Sequence, residues 1–294
     1  MPDILAPILY GLLVWWASTG AALYAVGLAD RWPRTVLAGC LALSAGSLAG
    51  LAATAGDAGT TGTYLAFTAA IGLWGAQEIL FLTGRVTGPW RAPCPPGLGG
   101  WARAGYAVRA ILYHELALLA SGAAAFVVTA GAPNRTGAWT FAILFVMRVS
   151  AKLNVFLGVP NLTEGFLPAH LSYLKSFFSR KPMNLLLPVS VTGCTVALVL
   201  LWQQVGEDAA PAPILVATLV GLALLEHWFL VLPLPVESLW TWGLASRSPV
   251  ADPAAVDLPA IPTVASAAGA GVALSLHETG GVALRSRDGA RGRP

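Results

Sequence analysis

Charged side chains lie inside stretches that are otherwise apolar enough to cross a bilayer: Glu78, the pair His114 and Glu115, Arg148 with Lys152, and the pair Glu226 and His227. A carboxylate or cation at the centre of a membrane helix costs about 2.5–3.5 kcal/mol on insertion scales, so such residues face a bundle interior, pair with one another or mark a site. Any fold available to this chain has to account for them together.

Spanning the hydrocarbon core takes about 20 apolar residues. That length recurs at Ile4–Val26, Thr35–Ala55, Thr63–Thr83, Ala107–Ala130, Trp139–Phe156, Leu185–Val205 and Pro213–Leu234. With 56% hydrophobic and only 11% charged residues, the composition is foreign to a soluble globular domain. The chain reads as an all-α, polytopic membrane helix bundle with about seven transmembrane helices, the fifth being the shortest. Membrane lipids are its first partners and nucleic acid is not expected.

Lys and Arg collect on alternate connections: Arg31 and Arg34, then Arg85, Arg91, Arg103 and Arg109, then Lys175, Arg180 and Lys181, and finally the C-terminal arginines from Arg247 onward. The opposite connections hold Asp57, Glu207 and Asp208 against Arg135 alone. The positive-inside rule therefore predicts an outside N-terminus and a cytoplasmic C-terminus. Trp15, Trp16, Trp139, Trp202, Trp228, Trp240 and Trp242 fall mostly near span ends, where indole rings favour the headgroup region. Cys40, Cys94 and Cys194 lack any CxxC spacing, so neither a disulfide framework nor a zinc ribbon is indicated. Residues 1–245 form the transmembrane domain, and residues 246–294, rich in Ala, Gly, Pro and Ser, read as a disordered cytoplasmic tail.

Glu78 lies six residues before Gly84, His114 five after Arg109, Lys152 six before Gly158 and His227 six before Pro233. At a rise of about 1.5 Å per residue, all four fall about 8–9 Å inside the cytoplasmic boundary. Arg148 stacks one turn from Lys152, and Asn154, Gln77 and Thr83 add hydrogen-bonding groups. Two readings of this polar layer stay open. In one, Glu78, Glu115 and Glu226 neutralise Arg148 and Lys152 and merely fix helix packing. In the other, His114, His227, Glu78 and Glu115 supply ligands to Fe or Zn. Adjacent residues point about 100° apart on a helix, so at most one member of each His–Glu pair is a good ligand. A pigment cavity, with a neutral histidine on the magnesium of a chlorin, is a further option.

Two connections invite contacts. The third mixes Trp90, Arg91, Trp101 and Arg103 with proline and glycine, a loop for headgroup anchoring or partner docking. In the fifth, Leu167, Leu171, Leu174 and Phe178 share a helical face while Lys175 and Arg180 lie elsewhere, which predicts an interfacial amphipathic helix near 167–179.

The runs Trp74–Pro89, Ile111–Leu116, Arg148–Asn161, His170–Phe178 and Glu226–Pro235 resemble the photosynthetic complex assembly protein 2 family (PuhE-like) of purple phototrophic bacteria; Lys152-Leu-Asn-Val-Phe-Leu-Gly-Val-Pro-Asn161 is the most specific string. The resemblance covers about Leu5 to Leu244. It implies a multi-pass protein of the bacterial cytoplasmic (inner) membrane that acts in assembly or biosynthetic regulation of bacteriochlorophyll-containing reaction centre and light-harvesting complexes. Partners would then be reaction-centre or light-harvesting subunits or other assembly factors, and bacteriochlorophyll or a precursor is the implied cofactor. The alternatives are an integral-membrane metalloenzyme acting on a tetrapyrrole or other lipophilic substrate, and a proton-linked transporter. Scaffolding rather than catalysis is the expectation.

Overall fold

Each break between apolar spans carries a residue that stops or starts a helix. The computed structural model describes residues 2–162, 164–206 and 209–247, and the tail from 248 onward lies outside the described residues. Seven long helices are present: α1 (Pro2–Leu28), α2 (Pro33–Thr54), α3 (Thr60–Leu82), α4 (Gly100–Val128), α5 (Thr136–Leu157), α6 (Leu186–Trp202) and α7 (Pro211–Phe229), with a short α8 (Thr241–Leu244) after them. No strand occurs among the described residues. Pro33 and Pro211 open α2 and α7, where a missing N–H is harmless. Gly84 (φ +71°) closes α3 in a Schellman turn, with Arg85 N–H bonded to Leu80 O at 3.0 Å and Gly84 N–H to Phe81 O at 2.8 Å.

Six of these helices, α1 to α5 and α7, are long and apolar enough to cross a membrane, making this a multi-pass membrane protein. The seventh expected span is shorter. Asn184 Oδ1 accepts the N–H groups of Leu186 and Leu187 and so starts α6 only at Leu186. Its 17 residues reach about 25 Å, short of the roughly 30 Å core. The fifth span is not the shortest after all, because Asn134 Oδ1 accepts Thr136 N–H and α5 begins there, giving it 22 residues.

The connections α1–α2, α3–α4 and α5–α6 and the segment after α7 meet at one end. Arg85 donates to Pro33 O at 3.2 Å, Arg103 to Phe177 O at 2.6 Å and Arg247 to Phe166 O at 3.0 Å. This basic end gathers the arginines that the sequence places on alternate connections. At the other end Asn134 Nδ2 ties α5 to the α2–α3 turn by donating to Thr54 O and Asp57 O, at 3.1 and 2.8 Å.

At the basic end the expected amphipathic α-helix is a 3-10 helix, Ala169–Phe177. Its period of three lines up Leu171, Leu174 and Phe177, all buried against Phe81 and Ala110 rather than resting on lipid. Trp240 also turns inward: its indole N–H donates to Trp16 O at 2.9 Å, and Trp16 returns the bond to Leu239 O at 3.0 Å. Ser246 Oγ donates to Tyr24 O, so the described chain continues past residue 245 beside α1.

Helices α3 and α7 are the centre of the bundle, with 56% and 50% of their membrane-length windows buried against 17% for each of the other four spans. Lipid tails are as apolar as leucine, so helices approach through small residues rather than by hydrophobic drive. Gly137 of α5 is such a point: a Cβ there would lie 2.8 Å from Ala66 O of α3 and strike the Leu51 side chain. Gly46 of α2 has open space around it. Gly137→Ala is expected to destabilise by about 1–3 kcal/mol, and Gly46→Ala to be neutral or better, as read by thermal unfolding in detergent; equal melting of the two variants would remove this account of the α3–α5 contact.

Candidate functional site

Arg148 and Lys152 sit four residues apart on one face of α5 and each finds its own acid on a different helix. Arg148 Nη2 donates to Glu78 Oε2 of α3 at 3.3 Å. Lys152 Nζ donates to Glu115 Oε1 of α4 at 2.6 Å and lies 5.9 Å over the Phe81 ring. One face of α5 thereby joins acids from two other helices. Glu226 on α7 forms no ion pair among the described residues.

His114 is fully buried beside this cluster, its ring centroid 4.3 Å from that of Phe81 and tilted 30° to it. Its Nε2 is 3.8 Å from Glu78 Oε1, beyond hydrogen-bonding range. Both ring nitrogens and Glu78 Oε1 are buried without a partner. Unpaired polar groups of this kind cost about 1–3 kcal/mol each, so a histidine kept here is a functional candidate rather than a packing choice. The α3–α4 connection also reaches α4 at this point: His114 N–H donates to Thr87 O at 3.0 Å. A side chain on neighbouring Gly88 would strike the Arg109 and Ala110 carbonyls, so only glycine lets the loop lie this close.

His227 belongs to a separate chain of bonds. Its Nδ1 lies 2.7 Å from Ala223 O, which can only accept, so Nδ1 carries a proton. Its Nε2 is 2.8 Å from Ser150 Oγ of α5, which lies 2.9 Å from Ser190 Oγ of α6; Asn154 Nδ2 donates to Ser190 at 3.0 Å. Asn184 continues the path by donating to Asn154 O and Gly158 O, at 3.2 and 2.9 Å.

The two histidines therefore have different surroundings. His114 has one acid near it, His227 has serine, and among the described residues no three His, Cys, Asp or Glu side chains gather as a metal would require. The expected ligand pool of His114, His227, Glu78 and Glu115 is divided, because Glu115 pairs with Lys152 and His227 with Ser150. Ser150 and Ser190 were absent from the sequence reading; serine is common in membrane helices, and only its i, i+4 spacing from Asn154 hinted at a shared face.

The loop residues divide as well. Trp101 is 93% exposed and Arg91 is exposed, both open for contact. Arg103 is a strut instead, donating to Phe177 O and Ser179 Oγ and lying 4.3 Å over the Phe156 ring. Trp90 packs edge-on to Tyr106 at 4.7 Å, and Lys175 and Arg180 share Glu164 at 3.5 Å each. Lys175 and Arg180 nonetheless stay exposed, so of the six loop residues Trp90 and Arg103 are the two turned to internal contacts.

Removing Glu78's charge tests whether the ion pair organises the bundle. Breaking a buried pair costs about 3–5 kcal/mol; with Arg148 partly exposed, Glu78→Gln is expected to cost roughly 2 kcal/mol. Adding Arg148→Met should recover part of that loss in a double-mutant cycle of unfolding in detergent. Strictly additive effects would mean that the two residues do not interact.

Comparison with known proteins places the chain without assigning it an activity. It is 42% identical over 252 residues, 83% of this chain and 90% of the other, to a protein of Rhodobacter capsulatus described as an uncharacterized 30.4 kDa protein in the puhA 5′ region. No solved structure matches. Residues 1–251 match the family of proteins of unknown function designated DUF3623, and with this match spanning the whole helical bundle the chain belongs to the DUF3623 family.

Proposed function

We propose that this protein is a membrane-embedded factor for the assembly of bacteriochlorophyll-containing photosynthetic complexes, acting in the inner membrane with its basic end toward the cytoplasm. One observation carries the structural side of the reading: both cations of the polar layer are spent on acids of neighbouring helices, Arg148 on Glu78 and Lys152 on Glu115. What the fold presents outward is apolar helix surface together with Trp101 and Arg91 on a closed basic end. That is the anatomy of a protein that holds a partner in the plane of the membrane. The relative's place beside puhA and the sequence resemblance to a PuhE-like family both point to the puh genes. Reaction-centre and light-harvesting subunits, or a pigment intermediate on its way to them, are the partners this role implies.

A second reading has one observation in its favour. The unpartnered nitrogens of His114 beside Glu78 Oε1 are groups that a bound metal or substrate would satisfy, as a metalloenzyme acting on a tetrapyrrole requires. Elemental analysis of protein purified without chelator separates the two: stoichiometric Fe or Zn that is lost in His114→Ala supports the enzyme.

For the assembly role, deletion of the gene is expected to lower reaction-centre absorbance in whole cells while pigment precursors continue to be made. Complementation with Trp101→Ala, Arg91→Ala should restore less than the wild-type gene does. Full absorbance in the deletion strain would remove the proposal.

A further inference from the structure

Where the basic end closes over the last turn of α3, the chain surrounds a cavity of about 220 Å³. Thr83, Gly84, Thr87, Arg91, His170 and Tyr173 are among the residues lining it. No carboxylate does. Thr87 is only 1% exposed, and its hydroxyl has no partner; the Tyr173 hydroxyl is buried and equally without one. Two orphaned hydroxyls on one small cavity are unusual, because each buried polar group left unpaired costs free energy that folding rarely tolerates.

The remaining groups set the sign of what they await. Arg91 forms no ion pair among the described residues, whereas Lys175 and Arg180 of the same end share Glu164. His170 is fixed in place: Nε2 lies 3.0 Å from Leu82 O, so this nitrogen is the donor and the ring cannot swing away without losing the bond. Gly84 keeps the space open, since a Cβ on its left-handed backbone would come within 3.1 to 3.2 Å of the His170 ring. Thr83 takes no part, its hydroxyl being spent on Ile79 O at 2.8 Å. An uncompensated guanidinium with two waiting O–H donors matches an oxyanion, and arginine's planar fork suits phosphate in particular.

We propose that this cavity binds the phosphate of an anionic ligand, with Arg91 supplying the charge and Thr87 and Tyr173 the hydrogen bonds. Its place at the end of an apolar span is the level of the lipid headgroups, where cationic groups meet anionic lipid phosphates. The phosphodiester of a membrane lipid is the expected source, and soluble phosphate offers the same chemistry.

The full chain, purified in detergent and equilibrated with an equimolar mixture of phosphatidylcholine and phosphatidylglycerol, should retain phosphatidylglycerol in native mass spectrometry. Thr87→Val and Tyr173→Phe, which keep side-chain shape, should each weaken retention by about tenfold. Arg91→Gln, at an exposed position that folding does not need, should weaken it at least as much; Arg31→Gln on the same end should not. In phosphatidylcholine alone, a rise in melting temperature with added inorganic phosphate that is lost in Arg91→Gln would support the same site and assign it to a soluble ligand. Retention equal to wild type in all three cavity variants, together with no phosphate-dependent stabilisation, would overturn the proposal.

Discussion

Hydrocarbon offers no water to a charge, and that constraint fixes how α5 must sit. Arg148 and Lys152 emerge from one face of a helix long enough to span the membrane. Each needs a carboxylate at its own depth, or its insertion cost stands. Glu78 on α3 and Glu115 on α4 meet that need from opposite sides of the same contact. With α3, α4 and α5 tied at this level, the small residues above it, Gly137 against Ala66 among them, bring the helices into close packing. The charges choose the neighbours and the glycines set the distance.

The same lack of water governs the irregular backbone. Peptide groups outside helices are tolerated at membrane depth only where protein satisfies them. The Thr87–Trp90 segment donates and accepts against α4, with His114 N–H on Thr87 O and Trp90 N–H on Arg109 O. Asn161 gathers the last carbonyls of α7 and its following turn, bonding Phe229 O, Leu232 O and Leu234 O. Arg103 does the like for the α5–α6 connection. These loops form a closed plate on the basic end, and the phosphate cavity is a gap that the plate leaves over α3. The assembly role and the cavity share Arg91, while Trp101 belongs to the first alone and Thr87 and Tyr173 to the second.

Within the bundle two polar systems lie side by side without merging. The ion cluster around Glu78 pairs Arg148 with Glu78 and Lys152 with Glu115 and leaves His114 unpartnered. The His227, Ser150, Ser190 and Asn154 chain is built from rotatable hydroxyls and reaches toward the basic end through Asn184. Ser150 lies between Arg148 and Lys152 in sequence, yet it points to α6 and α7 while they point to α3 and α4. A hundred degrees per residue is enough to separate the two systems on one helix.

The helical, membrane-spanning nature of the chain was legible in its apolar lengths, because bilayer thickness admits few ways to bury such segments. The charged residues of the polar layer were legible for the same reason, each being too costly to leave alone. Several features were not. Whether Leu185–Val205 spans fully depended on Asn184 capping its start, and the 3-10 winding of Ala169–Phe177 depended on Phe81 and Ala110 waiting to receive Leu171, Leu174 and Phe177. Sequence determines which residues cannot face lipid; only the tertiary structure decided which partner each one takes, since Glu115 meets Lys152 and His227 meets Ser150 through helix rotations that no local pattern encodes.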